Sequence, residues 1–304
     1  MIEIKNIVKQ YAGHRALDDV SIHIQKGTIF GLLGPNGAGK TSLIRIITQI
    51  TAPDSGHIQF NGEPLNSSHI YQIGYLPEER GLYKKMQIGE QMLYLAQLKG
   101  LSKSEAKHRI KHWFEKMEMQ TWWNKKVEDL SKGMQQKVQF VATVLHQPEL
   151  LILDEPFSGF DPVNADIIKN EILELHRNGT TIIFSTHRME SVEQLCNNIA
   201  LINKSKKILD GSVIDIKNKY RENKYKITYL GDDIVSTPDD TLFIIDDIEH
   251  QGVTTTLSIK IPKEKSVNAV LSYLIPKVEI QHLEEIIPSI HDIFIKEVTS
   301  VNIN

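Results

Sequence analysis

Eight consecutive residues, Gly34-Pro35-Asn36-Gly37-Ala38-Gly39-Lys40-Thr41, satisfy the phosphate-loop pattern G-x-x-x-x-G-K-[ST] at every specified position. Glycines there let backbone N–H groups approach phosphate oxygens with no Cβ in the way. Lys40 is then placed to reach the β- and γ-phosphates and Thr41 to ligate Mg2+, with Asn36, Ala38 and Ser42 completing the stretch that wraps them. A second pair, Asp154-Glu155, closes the apolar run Leu150-Leu151-Ile152-Leu153. Adjacent carboxylates at the end of a buried strand suit hydrolysis of a nucleoside triphosphate. Asp154 would hold the metal, and Glu155, turned to the other side by strand alternation, would serve as general base for the attacking water.

Such chemistry needs a strand-to-helix turn under the loop, and the flanking residues predict one. The run 28–33 reads as a buried strand, and 42–47 continues as a helix whose N-terminus adds unpaired donors and a positive dipole end. Before the loop, Ile2, Ile4, Val20, Ile22 and Ile24 alternate with polar residues, which predicts antiparallel strands with one wet face. Pro53-Asp54-Ser55-Gly56 is a turn signal followed by short strands over 57–60 and 72–76. From 87 to 146 the period becomes helical. Ser102 with Glu105 predicts a capping box opening a helix that carries Ile110, Trp113, Phe114 and Met117 at three- and four-residue spacing. Buried strands return at 150–153 and 181–184, separated by a helix with Asp161 as N-cap and Pro162 in its first turn.

At 304 residues with 40% hydrophobic and 24% charged residues, the chain is long enough for about two globular domains. A formal net charge of -3 gives no reason to expect nucleic acid as partner. No apolar run approaches the roughly 20 residues that cross a bilayer, and the start lacks the basic-then-apolar layout of a secretory signal, so a cytosolic location is expected. The single cysteine, Cys196, is expected to be a buried thiol rather than a redox centre. Past Gly211 the pattern changes: a short helix to Tyr220, strands over 224–229, 241–245 and 254–261, then helices over 266–274 and 289–298. Strands followed by helices predict a separate small α+β domain.

Between the phosphate loop and the acidic pair lies Leu130-Ser131-Lys132-Gly133-Met134-Gln135-Gln136. Here the chain resembles the ATP-binding cassette (ABC) family, whose signature reads LSGGQ. The resemblance covers about 1–219 and implies a P-loop NTPase cassette: a mixed sheet core, an antiparallel β subdomain and a helical insertion over about 87–146, followed by an accessory α+β domain over 220–304. It further implies Tyr11 as the adenine-stacking residue, 158–161 as the D-loop ending in Asp161, and His187 as the switch histidine that orients water on the γ-phosphate. Ser131 and Gly133 open a helix whose N-terminus can grip phosphate, and the family implies that this grip is made in trans, across a dimer of cassettes.

Two departures stand out. Glu78 occupies the position of the usual Mg2+-sensing glutamine, and Lys132 and Met134 replace the signature's glycine and glutamine, so only Ser131 and Gly133 carry over. The run 75–83 and the C-terminal domain resemble ATPase subunits of bacterial ABC-2-type exporters, especially the sodium-efflux type. That resemblance implies ATP and Mg2+ as cofactors, a separate integral membrane permease and a second cassette, in a homodimer or a paralogous heterodimer, as partners, and a place on the inner face of the membrane. Leu82, Tyr83 and Met86 are the expected permease anchor. A soluble ABC ATPase of translation or DNA repair is the alternative. It is disfavoured by the single set of motifs and by a Lys40–Ser131 interval too short for a long coiled coil.

Overall fold

The computed structural model describes residues 1–79, 81–232 and 242–300, and the chain divides into two compact units, Met1–Val213 and Ile214–Asn304. In the first unit, strands β1 (Ile2–Tyr11), β2 (His14–Ile24) and β3 (Ile29–Leu33) lead into helix α1 (Lys40–Ile47). Strands β4 (Ser55–Phe60), β5 (Glu63–Pro64) and β6 (Ile73–Leu76) precede the helical insertion, α2 (Ile88–Leu98), α3 (Lys103–Lys116) and α4 (Lys132–Val144). Then come β7 (Leu150–Asp154), α5 (Pro162–Arg177), β8 (Thr181–Ser185), α6 (Met189–Leu195), β9 (Asn198–Asn203) and β10 (Lys206–Ser212).

Six strands form one sheet in the order β10-β9-β3-β8-β7-β6, parallel except for β10, and the antiparallel sheet β2-β1-β4-β5 packs on it. Every residue of β3, β7 and β8 is buried, which is why these strands read as unbroken apolar runs rather than alternating ones. Ile2, Ile4 and Phe60 from the antiparallel sheet share a core with Phe30, Leu32 and Ile183 of the parallel one and with Leu43 and Ile47 of α1. The phosphate loop, Asp154 and the residues after Ser185 thus leave three neighbouring strands at their C-terminal ends, where open α/β sheets bind ligands.

In α3, Ile110, Trp113, Phe114 and Met117 are buried as the spacing predicts. The capping box is only half made. Ser102 accepts from the Glu105 N–H, but the Glu105 carboxylate turns forward to Arg109 at 2.7 Å, because a charged partner one turn on competes better than a backbone N–H. Gly89 in α2 lies against the Trp123 indole, and a Cβ there would sit 2.3 Å from the ring. Alanine normally stabilises a helix over glycine by up to about 1 kcal/mol. Here the clash outweighs propensity: Gly89→Ala is expected to cost about 1–3 kcal/mol, as overpacking does. A lowered thermal midpoint of the purified variant checks this, and a raised one refutes it. Cys196 follows α6 as a buried thiol whose pKa burial pushes up to about 12, so it stays protonated.

The second unit contains α7 (Val213–Lys219), β11 (Lys224–Leu230), β12 (Ile244–Gln251), β13 (Thr254–Lys260), α8 (Val267–Leu274), β14 (Glu279–Ile286) and α9 (Ile290–Ser300). Its antiparallel sheet runs β12-β13-β11-β14 over a core of Ile227, Tyr229, Phe243, Leu257, Ile259, Val270 and Leu274. The unit begins upstream of the 219/220 junction expected from sequence, and the Tyr220 hydroxyl at the end of α7 donates to Glu297 of α9. The strand expected over 241–245 is shifted to β12, which starts at Ile244 and continues through Asp246 and Asp247 to Gln251, and Thr241 is outside the described residues.

Candidate nucleotide-binding and hydrolytic site

Two glycines of the phosphate loop are required by their surroundings. Gly34 (φ 149°) passes so close to β9 that a Cβ would lie 2.1 Å from the Ile202 carbonyl oxygen, and Gly39 (φ 115°) would place one 2.3 Å from that of Ala16. No side chain fits either contact. Gly39 also caps α1 without a side-chain hydrogen bond, which leaves the first-turn N–H groups facing the loop and open to an anion. Lys40 is the first residue of that helix and is 8% exposed; its Nζ donates to the carbonyls of Gly34 at 2.7 Å and Pro35 at 3.1 Å. Burial holds its pKa below the ordinary lysine value, against the pull of the Asp154, Glu155 and Glu78 carboxylates.

Asp154 ends β7 opposite Ser185 of β8 and is buried. Burial raises its pKa, and the charges of Glu78 and Glu155 push the same way while Lys40 opposes them. Glu155 departs from the sequence expectation in how it is aimed. The strand stops at Asp154, and Glu155 takes a left-handed backbone (φ 49°) with its N–H donated to the Ser185 carbonyl at 2.8 Å. A turn, not strand alternation, therefore directs its side chain. The carboxylate accepts from the Thr186 hydroxyl at 3.0 Å, the His187 N–H at 2.8 Å and His187 Nδ1 at 2.6 Å. Its side chain is 10% exposed against 61% for His187, so the histidine is the movable member of the pair.

Asn36, Gly37, Ala38, Gly39, Lys40, Thr41 and Ser42 line a cavity of about 360 Å3 together with Tyr11, Glu78, Asp154, Glu155 and His187. His14 and Ala16 line it too, and sequence reasoning passed over both. The signal for His14 was the tight turn at Ala12-Gly13, which pairs Tyr11 with His14 across the β1–β2 hairpin and sets both at the cavity edge. Ser131, Gly133 and Asp161 do not line it. Ser131 caps α4, its hydroxyl accepting from the Met134 N–H at 3.3 Å, and Asp161 caps α5, accepting from the Asn164 N–H at 3.0 Å and its amide at 2.6 Å. Those Asn164 bonds hold the Asp161 carboxyl below its usual pKa. The Gln136 amide donates to the Ser158 carbonyl and ties the start of α4 to the D-loop segment.

Residues 17–158 match the ABC transporter family, and residues 211–298 match the C-terminal domain of DrrA1-3-like ATP-binding proteins. YhaQ of Bacillus subtilis (strain 168), an uncharacterized ABC transporter ATP-binding protein, is 41% identical over 307 residues, 99% of each chain. The chain belongs to the ABC transporter ATP-binding proteins. Another of these, NatA of the same organism, is 34% identical over 222 residues, covering 71% of this chain and 89% of its own. A solved ATP-binding subunit of an ABC transporter superposes with a TM-score of 0.67 at 30% identity, over 72% of this chain and 93% of that one. This ABC subunit therefore binds ATP and hydrolyses it to ADP and phosphate, as the nucleotide-binding subunit of an ABC transporter. No helix among the described residues is long and apolar enough to cross a membrane.

Proposed function

We propose that this ABC subunit works as one half of a head-to-tail cassette dimer, with ATP closed between the phosphate loop of one half and Ser131 and Gly133 of the other. The closing and opening of that dimer drive a separate integral membrane permease, to which the chain is bound peripherally on the cytoplasmic side. One observation carries this reading: the cavity at the phosphate loop is lined by no residue of the α4 N-terminus, the other phosphate-binding feature of the sequence. Cargo is selected in the permease. Sodium is the cargo the sequence resemblance points to, and no residue of this chain is assigned to it.

The donor set fits Mg2+ carried on the phosphates. Among the described residues no group of three or more His, Cys, Asp or Glu is placed to hold a metal ion, whereas Thr41, Asp154 and Glu78 all line the cavity. Mg2+ bound through one or two carboxylates plus substrate phosphates needs no more than that. Thr41 and Asp154 would hold it, with Glu78 beside them, and when bound it neutralises charge building on the phosphates. Lys40 balances the triphosphate, and Tyr11, 37% exposed, offers the adenine a face. Glu155 takes the proton of the attacking water once His187 has swung from its carboxylate towards the γ-phosphate.

Mixing subunits tests the composite site. Ser131→Arg protein and Lys40→Ala protein are each expected to be inactive. Mixed dimers contain one site with both lesions and one intact site, so activity should return to about half of wild type at most. A mixture in which heterodimers form without any recovery would discard the trans geometry.

A further inference from the structure

Over 87–146 the chain carries ten Lys and Arg against six Asp and Glu, a basic stretch in a chain that is acidic overall. Much of the excess gathers on α3. Lys103, Lys107 and Lys111 follow one another at four-residue spacing and are exposed, while Ala106, Ile110, Trp113 and Phe114 of the same helix turn inward. Among the described residues Lys103 and Lys107 pair with no carboxylate, and Lys111 reaches only Glu115, at 3.9 Å. Arg109 and Lys116, by contrast, hold Glu105 at 2.7 Å and Glu171 at 2.6 Å.

Such a row works against the helix that bears it. Like charges at i and i+4 repel, and Lys103 and Lys107 stand near the N-terminal end, where the helix dipole is already positive. An external anion would remove both costs. Beside the row, the turn between α2 and α3 meets Tyr71, 56% exposed, whose ring a Cβ on Gly100 would touch at 3.8 Å, and the exposed Ile70 precedes it. Lysines next to an exposed ring and an exposed aliphatic chain have the composition that settles at a lipid headgroup boundary, the apolar groups entering it and the ammonium groups meeting phosphates. Outside this stretch the chain is acidic, which disfavours wrapping by a nucleic acid, whereas a flat anionic surface needs only one basic face.

We propose that the lysine row of α3, with Tyr71 beside it, contacts anionic phospholipid headgroups of the membrane, an inference that rests on the peripheral attachment proposed above. The contact orients the helical insertion against the bilayer independently of the permease.

The test sediments the full-length chain, without permease, with vesicles of phosphatidylcholine alone or mixed in equal parts with phosphatidylglycerol, at low and at high salt. Partitioning is expected onto the mixed vesicles only, and it should weaken as salt rises. Lys103→Gln, Lys107→Gln and Lys111→Gln together should lower it about ten-fold or more, since each lysine at an anionic surface is worth roughly five-fold. ATP affinity should be unchanged and the thermal midpoint unchanged or slightly raised, because like-charge repulsion is relieved. Arginine at the same three positions should restore partitioning, and Tyr71→Ala should weaken it even at low salt. A wild-type chain that ignores the mixed vesicles, or a triple glutamine variant that binds them equally well, overturns the proposal while the permease reading stands. Binding to double-stranded DNA as tight as to the mixed vesicles would show attraction to any polyanion and overturn it too. Failure of the wild-type chain to recover a permease from solubilised membranes is a separate result, and it removes the peripheral attachment itself.

Discussion

Purified Glu155→Gln protein will bind ATP with wild-type affinity and turn it over about 10²–10⁴ times more slowly, the usual contribution of a general base. Glutamine keeps the shape of the side chain and its place in a mostly buried slot. With its amide oxygen in the Oε1 position it can still accept from the His187 N–H and from Nδ1–H, as the carboxylate does now. The third contact also survives, because the amide nitrogen in the Oε2 position can donate to the Thr186 hydroxyl oxygen. Geometry is thus preserved and only the ability to take a proton is lost. Phosphate release should fall to background while ATP titration is unchanged, and an ATP-bound dimer should accumulate on a sizing column. Near-normal turnover would remove Glu155 from the role of base.

The same contact explains what the resting arrangement does. With Thr186 and His187 occupying both oxygens, Glu155 has little room to accept a water proton until His187 leaves. The imidazole is largely exposed and the carboxylate is not, so rearrangement is cheapest on the histidine side. A γ-phosphate that draws His187 away would free the base at the moment its substrate is present.

The phosphate loop was legible in the sequence because its demands fall on residue type. Gly34 and Gly39 sit where neighbouring carbonyls exclude any side chain, and Lys40 and Thr41 carry irreplaceable functional groups. Buried parallel strands were legible for a related reason: β3, β7 and β8 face apolar surroundings on both sides and carry polar residues only at their ends, Asp154, Thr181 and Ser185. What escaped was set by tertiary contacts. The direction of Glu155 depends on one left-handed residue tied to the Ser185 carbonyl, which no periodicity records. Strand β14 was missed because it is a mostly exposed edge whose Glu279, Glu284 and Glu285 read as solvated chain. His14 and Ala16 reach the cavity only because the β1–β2 hairpin folds back over the loop, a juxtaposition of elements rather than of neighbours in sequence.

Lys40→Ala should abolish the thermal stabilisation that ATP confers while leaving the ligand-free protein as stable as wild type or slightly more so. The two halves of this expectation have separate causes. Without nucleotide, Lys40 is a desolvated cation whose folded pKa lies below its unfolded value. The folded state therefore binds this proton less well than the unfolded chain, a cost fully present at neutral pH and relieved only as pH rises past the folded pKa. Alanine removes that cost, offset by loss of the bonds to Gly34 and Pro35. With nucleotide, the same ammonium in its proposed role balances the triphosphate, and losing a charge-assisted contact worth about 1.5–3 kcal/mol is expected to weaken binding roughly 10- to 150-fold. At a free ATP concentration of about 100 times the wild-type Kd, the wild-type chain gains about 2.7 kcal/mol, whereas a variant weakened a hundred-fold gains about 0.4 kcal/mol. Thermal unfolding with and without ATP separates the two effects in one experiment. A variant that keeps the full ATP shift would show that the backbone N–H groups of the loop and of the α1 N-terminus hold the phosphates without the lysine. A variant already destabilised without ATP would show instead that Lys40 supports the loop, with its bonds to Gly34 and Pro35 outweighing its burial.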